Sequence, residues 1–139
     1  LSSNFIYEHD VLFNKDKSEI ISFRNQNQKS YAIPNGVMNV RFGAFLCCNS
    51  LADIIIPNSM KSIGVGAFAG CISLNSIDIP NGVIRIGINA FNRCISLSNI
   101  VIPDSVSSIG EGAFEDCDFP CDLRQKLISR FGDKIFKQL

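Results

Sequence analysis

Apolar and polar positions along this chain come round with a fixed step. Prolines stand at Pro34, Pro57, Pro80 and Pro103, each 23 residues apart. Phe45, Phe68, Phe91 and Phe114 keep the same step, each preceded by Ala, and Cys48, Cys71, Cys94 and Cys117 follow them. Leu51, Leu74 and Leu97 hold a further column, and the isoleucines of "LNSIDIP" recur at Ile54, Ile77, Ile100 and at Ile33, Ile56, Ile79, Ile102. Ile77 and Ile79 are two apart, so they share one face of a strand while Ser76 and Asp78 share the other. Pro80 has no N–H to donate and ends that strand. The pairs Asn58-Ser59, Asn81-Gly82 and Asp104-Ser105 are turn formers. A second short apolar segment follows, residues 83–86 in the middle copy, and Gly64, Gly87 and Gly110 turn the chain again before the Ala-Phe pair.

Such a unit cannot bury its apolar side alone, and neighbouring coils must cover it. Stacking in register brings Phe onto Phe, Ile onto Ile and Cys onto Cys, at about the 4.8 Å spacing of neighbouring strands. Ser50, Ser73 and Ser96 are placed to form a hydroxyl ladder along the stack. The ends break the pattern. Residues 5–23 read as one hairpin, "FIYEHDVLF" and "EIISF" joined by "NKDKS", that pairs onto the first coil and protects its edge. Beyond residue 117, Leu123, Leu127, Phe131, Ile135 and Leu139 follow an i, i+4 rhythm. They predict an amphipathic helical cap. Asp122 and Gln125 resemble a capping box at its start, and Gly132 is placed to split it in two.

Composition narrows the function without naming it. The 139 residues carry 13 basic and 13 acidic side chains, so no global field draws in nucleic acid. No apolar run approaches the roughly 20 residues that cross a bilayer, so no membrane insertion is expected of this segment. The start "LSSNFIYEHD" has no initiator Met and no signal peptide, and reads as a mature or trimmed chain. The six cysteines lack the short paired spacings of a zinc site, and no His accompanies the close pairs Cys47-Cys48 and Cys117/Cys121. Column cysteines read as small buried hydrophobes. If a disulfide forms, Cys117 with Cys121 is the best-placed pair, although spacing alone does not fix it. His9 is the one histidine, and Glu8 and Asp10 beside it alternate to the opposite face of a strand. No nucleophile–base–acid set follows from that. "GVGAFAG" has neither a phosphate-loop Lys nor a dinucleotide fingerprint. No catalytic residue, metal ligand or cofactor is predicted.

The unit "IPNGVIRIGINAFNRCISLSNI" at 79–100, with "IPDSVSSIGEGAFEDC" at 102–117, resembles the BspA-like family of leucine-rich repeats. The lead-in "VLFNKDKSEIISF" is similar to the one that precedes such arrays. The first copy departs from the pattern, with Arg41 in the glycine position and Cys47 as an extra cysteine. The resemblance implies a mainly β fold, a right-handed leucine-rich-repeat solenoid of about four coils. It is capped by the N-terminal hairpin (residues 1–32) and the C-terminal helix (118–139), around repeats over 33–117. It also implies a non-enzymatic adhesion or binding module, secreted or on a cell surface, with a protein or glycan ligand. The outward strand positions are then the candidate contact residues: Asp53, Ile55, Ser76, Asp78, Asn99 and Val101. A structural spacer or assembly module of a larger surface protein is the alternative.

Overall fold

The computed structural model describes residues 4–137. Each coil contributes two short strands to two different sides of a stack. The apolar column Val40, Ile63, Ile86 and Ile109 lies on β5 (Asn39–Val40), β7 (Ser62–Ile63), β9 (Arg85–Ile86) and β11 (Ser108–Ile109). These pair in parallel, one coil to the next, in register with the repeat. The isoleucines between the leucine and proline columns lie on β4 (Ser30–Ala32), β6 (Asp53–Ile55), β8 (Ser76–Asp78) and β10 (Asn99–Val101). In β6, β8 and β10 the burial pattern is exposed–buried–exposed, as the period-2 pattern predicts.

The N-terminal cap differs from the single hairpin expected. Its first strand breaks at His9 and Asp10, which both take left-handed φ (51° and 65°). The result is a three-stranded antiparallel meander of β1 (Phe5–Glu8), β2 (Val11–Asn14) and β3 (Glu19–Phe23). The expected docking is present: β3 pairs in parallel with β5, Ile20 opposite Val40. The meander and the coils thus form one seven-stranded sheet. Phe23 stacks on Phe45 with ring centroids 5.0 Å apart and adds a further member to the phenylalanine column. Tyr31 stands opposite Ile54 in the strand column and packs against both rings.

The C-terminal end also imitates a coil. Helix α1 (Cys121–Phe131) buries Leu127 and stops at Gly132, whose φ of 85° suits glycine. Its start differs from the expected capping box. Pro120 is the N-cap and no side chain caps the helix, so Asp122 acts from inside the first turn. The i, i+4 rhythm does not continue either. Asp133–Phe136 is a separate 3-10 turn that buries Ile135 and Phe136, and Leu139 lies outside the described residues. In that turn Gly112 N donates to Lys134 O, and Phe114 N donates to Ile135 O at 2.8 Å. The equivalent bonds one coil earlier run from Asn89 N to Glu111 O and from Phe91 N to Ala113 O. "GDKIF" therefore stands where the next "GEGAF" would be. Arg130 ties the helix to the last coil by donating to the carbonyls of Ile102 and Pro103, at 3.1 and 2.6 Å.

Between the caps the core is a set of ladders. Phe45, Phe68, Phe91 and Phe114 stack with centroids 4.8, 5.3 and 5.6 Å apart and planes within 15°. Each such pair is worth about 0.5–1.5 kcal/mol beyond the area it buries. Every column thiol donates to the carbonyl of a phenylalanine on the coil before: Cys71 to Phe45 at 3.1 Å, Cys94 to Phe68 at 3.0 Å, Cys117 to Phe91 at 3.3 Å. Burial pushes the Cys94 thiol up to about 12 and raises Cys117 in the same way. The neighbouring Cys71 thiol lowers Cys48, while the Cys48 sulfur and burial raise Cys71. The expected serine ladder lies in another column. Ser73 does donate to Asn49 O, but the bridging hydroxyls are Ser59 and Ser105. Each accepts from a turn glycine one coil back, Gly36 or Gly82, and donates to Val37 O or Val83 O.

Candidate functional site

The period-2 pattern turns Ile54, Ile77 and Ile100 inward, which leaves the six predicted contact residues on one outer face. In register, Asn99 stands beside Ser76 and Val101 beside Asp78 on the pair β8–β10. Asp53 and Ile55 occupy the same levels on β6, paired with Ser30 and Ala32 of β4. Ile55 is 66% exposed and Val101 53%, high values for branched apolar side chains. Sequence reasoning missed Ser30 and Ala32, although carrying the register back 23 residues from Asp53 and Ile55 reaches both.

The face is not one continuous sheet. Ile33 N donates to Ile55 O, and Ile79 N donates to Val101 O, both at 3.0 Å. Among the described residues, no bond of this kind joins Ile56 N to Asp78 O. The ladder continues only at the lower level, where Asn75 N donates to Ala52 O at 3.3 Å. β6 and β8 therefore part, and the sheet splits into β4–β6 and β8–β10. A groove of about 520 Å³ lies over the split. It is lined by Asp53, Ile55, Ser76 and Asp78 of the predicted set and by Asn58, which sequence reasoning passed over as a turn residue. Asn99 and Val101 extend the face beyond it. A smaller depression of about 210 Å³ lies on the other side of Asp53 and Ile55, over Gln28, Ser30, Tyr31 and Ala32. Burial, and secondarily the charge of Glu8, raises the Tyr31 phenol to about 12.

Chemically the face offers carboxylates, a hydroxyl, amides and two exposed branched side chains. Those groups can hydrogen-bond, carry charge and make apolar contacts. Glu8 pairs with Lys17, and the carboxylate of Asp10 accepts from the Tyr7 hydroxyl, so both acids beside His9 have other partners. Among the described residues no three His, Cys, Asp or Glu side chains converge as a metal would require. Cys117 points into the thiol column, Cys121 is exposed at the start of α1, and both are free thiols here. No helix is long and apolar enough to cross a membrane, among the described residues.

Known proteins share this architecture. The profile of the BspA type leucine-rich repeat region matches residues 19–139 as six copies. A leucine-rich repeat protein from Bacteroides ovatus is 33% identical, with a TM-score of 0.65 over 67% of this chain and 24% of its own. The leucine-rich repeat protein of T. pallidum is 32% identical, with a TM-score of 0.67 over 83% of this chain and 55% of its own. A leucine-rich cell surface protein from Faecalibacterium prausnitzii is 28% identical, with a TM-score of 0.65 over 95% of this chain and 43% of its own. This chain thus spans about a quarter to a little over half the length of those proteins. No curated protein matches it.

Proposed function

Because this chain belongs to the BspA type leucine-rich repeat family, we propose that it is a non-enzymatic binding module. It would recognise a protein or glycan through the strand face, at an extracellular or cell-surface location. The observation that carries this reading is the groove at the split between β6 and β8, where exposed Ile55 stands level with Asp78 and two residues along β6 from Asp53. No ion pair joins Asp53 or Asp78 to another described residue, so their charge is available to a ligand. The description of the Faecalibacterium prausnitzii relative as a cell surface protein supports the location. The face is small and carries no Trp, Tyr or Arg anchor of the kind that dominates tight interfaces, so each contact should be weak and gain from repetition.

The test is retention of the purified protein on arrays of host matrix proteins, glycans and bacterial surfaces, followed by charge reversal at Asp53 and Asp78. The expected result is a retained ligand whose binding falls at least about tenfold in D53K/D78K, with an unchanged melting temperature. Failure to retain any ligand, or equal binding by the double variant, would remove the strand-face reading and favour the spacer alternative.

A further inference from the structure

A different side of the stack, carried by the Ala-Phe turns, is ordered by charge from one end to the other. Phe23 N donates to Ala44 O just as Phe45 N donates to Ala67 O, so Arg24 occupies the level before Leu46 in one column. That column then reads Arg24, Leu46, Ala69, Asn92 and Glu115. It goes from a cation, through apolar and small residues, to an acid. The adjoining column runs Cys47, Gly70, Arg93 and Asp116, and the next runs Asn49, Ile72, Ile95 and Asp118. On the entering side, exposed Phe42, Val65 and Ile88 are followed by Glu111. In all four columns the fourth coil is acidic where earlier coils carry most of the apolar residues.

The middle of this side is a notch. The second coil has only Ala69 and Gly70 where the first has Leu46 and Cys47 and the third has Asn92 and Arg93. The result is a groove of about 530 Å³, lined by Leu46, Cys47, Ile72, Arg93 and Ile95 over the Ala69-Gly70 floor. Leu46 is 54% exposed and Ile95 56%. Side chains this large gain by being covered.

We propose that this side is a self-association surface, on which a second copy of the chain docks antiparallel about a twofold axis passing beside Gly70. Such an axis pairs the first coil with the third coil of the other copy and the N-terminal level with the fourth coil. Leu46 then reaches the partner's third coil at the level of the partner's Asn92, with the partner's Ile95 two columns along, and Arg24 reaches the level of the partner's Glu115 and the partner's Asp116. A parallel arrangement would set acids against acids. A stripe with Arg24 at one end, mainly apolar residues and Arg93 between, and four acids at the other is complementary to itself at its ends under a twofold rotation, as an isologous interface requires. Two further charged groups near the basic end have partners in the same chain. Arg41 pairs with Glu19 at 3.5 Å, and the carboxylate of Asp10 accepts from the Tyr7 hydroxyl. Five levels at about 4.8 Å give a face only about 20 Å tall, at the small end of specific interfaces. The dimer is therefore concentration-dependent and weakened by salt. It leaves both strand faces open, so one dimer presents two of them.

Sedimentation equilibrium over a concentration series tests this. The expected result is a monomer–dimer equilibrium at low salt, with the dissociation constant raised at least about tenfold in Leu46→Glu. Arg24→Glu and Asp116→Arg should each weaken the dimer, and the two together in one chain should restore it. Cys47 lines the groove, so its alkylation should slow as the dimer fills while that of exposed Cys121 does not. A monomer at every concentration up to about 1 mM would overturn the proposal. So would a dimer that survives Leu46→Glu while Cys47 reacts at the monomer rate, because another face would then be in use.

Discussion

Cys47 and Cys48 are adjacent in the chain and opposite in chemistry. Cys47 takes a left-handed φ of 55° that carries its side chain outward, whereas Cys48 is buried and aimed at Phe23 O. Exposure decides which thiols react. Brief alkylation of the native protein should modify Cys47 and Cys121, and all six cysteines only after denaturation; intact mass checks both states. Two acids raised by burial, one of them half-buried, also contribute to stability at alkaline pH. Cys94 is raised from 9.0 to about 12 and Tyr31 from 10.0 to about 12. Both groups are neutral when protonated, so their contribution is complete below the unfolded values and is lost as pH rises through the folded ones. Thermal melts should therefore hold steady at neutral pH and fall from about pH 9 to about pH 12, with Tyr31→Phe flattening the upper part. That these cysteines are core was legible from their step of 23. That Cys47 is not was legible only as a departure from the step, since the turn that carries it outward depends on φ.

At the scale of the coil, the glycine column shows why the repeat is so strict. A Cβ on Gly87 would come within 2.6 Å of Val65 N and 2.7 Å of the Gly64 carbonyl carbon, and one on Gly64 within 2.6 Å of Val40 O. Backbone of the preceding coil fills the space. Gly87→Ala should cost about 1–3 kcal/mol in urea unfolding, because the clash is with main chain that cannot rotate away. Arg41 is tolerated in the same column because the level before it is the cap. There the chain passes from Ile20 to Phe23 two residues sooner than from Val40 to Phe45, and Glu19 pairs with the Arg41 guanidinium. The strands, the proline stops and the turn pairs were legible because period 2 and period 23 coincide in them. The split between β6 and β8 was not, because it is a matter of backbone hydrogen bonding between coils whose side chains keep the same pattern.

Across the whole molecule, the ends show how a stack closes. Phe23 lies 22 residues before Phe45, and Phe136 lies 22 after Phe114, so neither falls on the 23-residue step. A period search passes over both, yet each occupies the phenylalanine column or its edge. These two partial coils, with the four regular ones, fit the six copies that the family profile finds. Without its end caps a solenoid exposes a full cross-section of core. Truncation after Pro120 should therefore uncover Phe114 and give aggregates in size-exclusion chromatography, in place of a cooperative melt. The central claim is that the phenylalanine and cysteine columns are scaffold, whereas the inconspicuous residues between the isoleucines are not, which leaves them open for the proposed binding. Equilibrium urea unfolding of Phe68→Ala against D53K/D78K tests it most directly. The account predicts a loss of about 3–5 kcal/mol for Phe68→Ala and a change within about 0.5 kcal/mol for the double variant. Comparable losses in the two would contradict it.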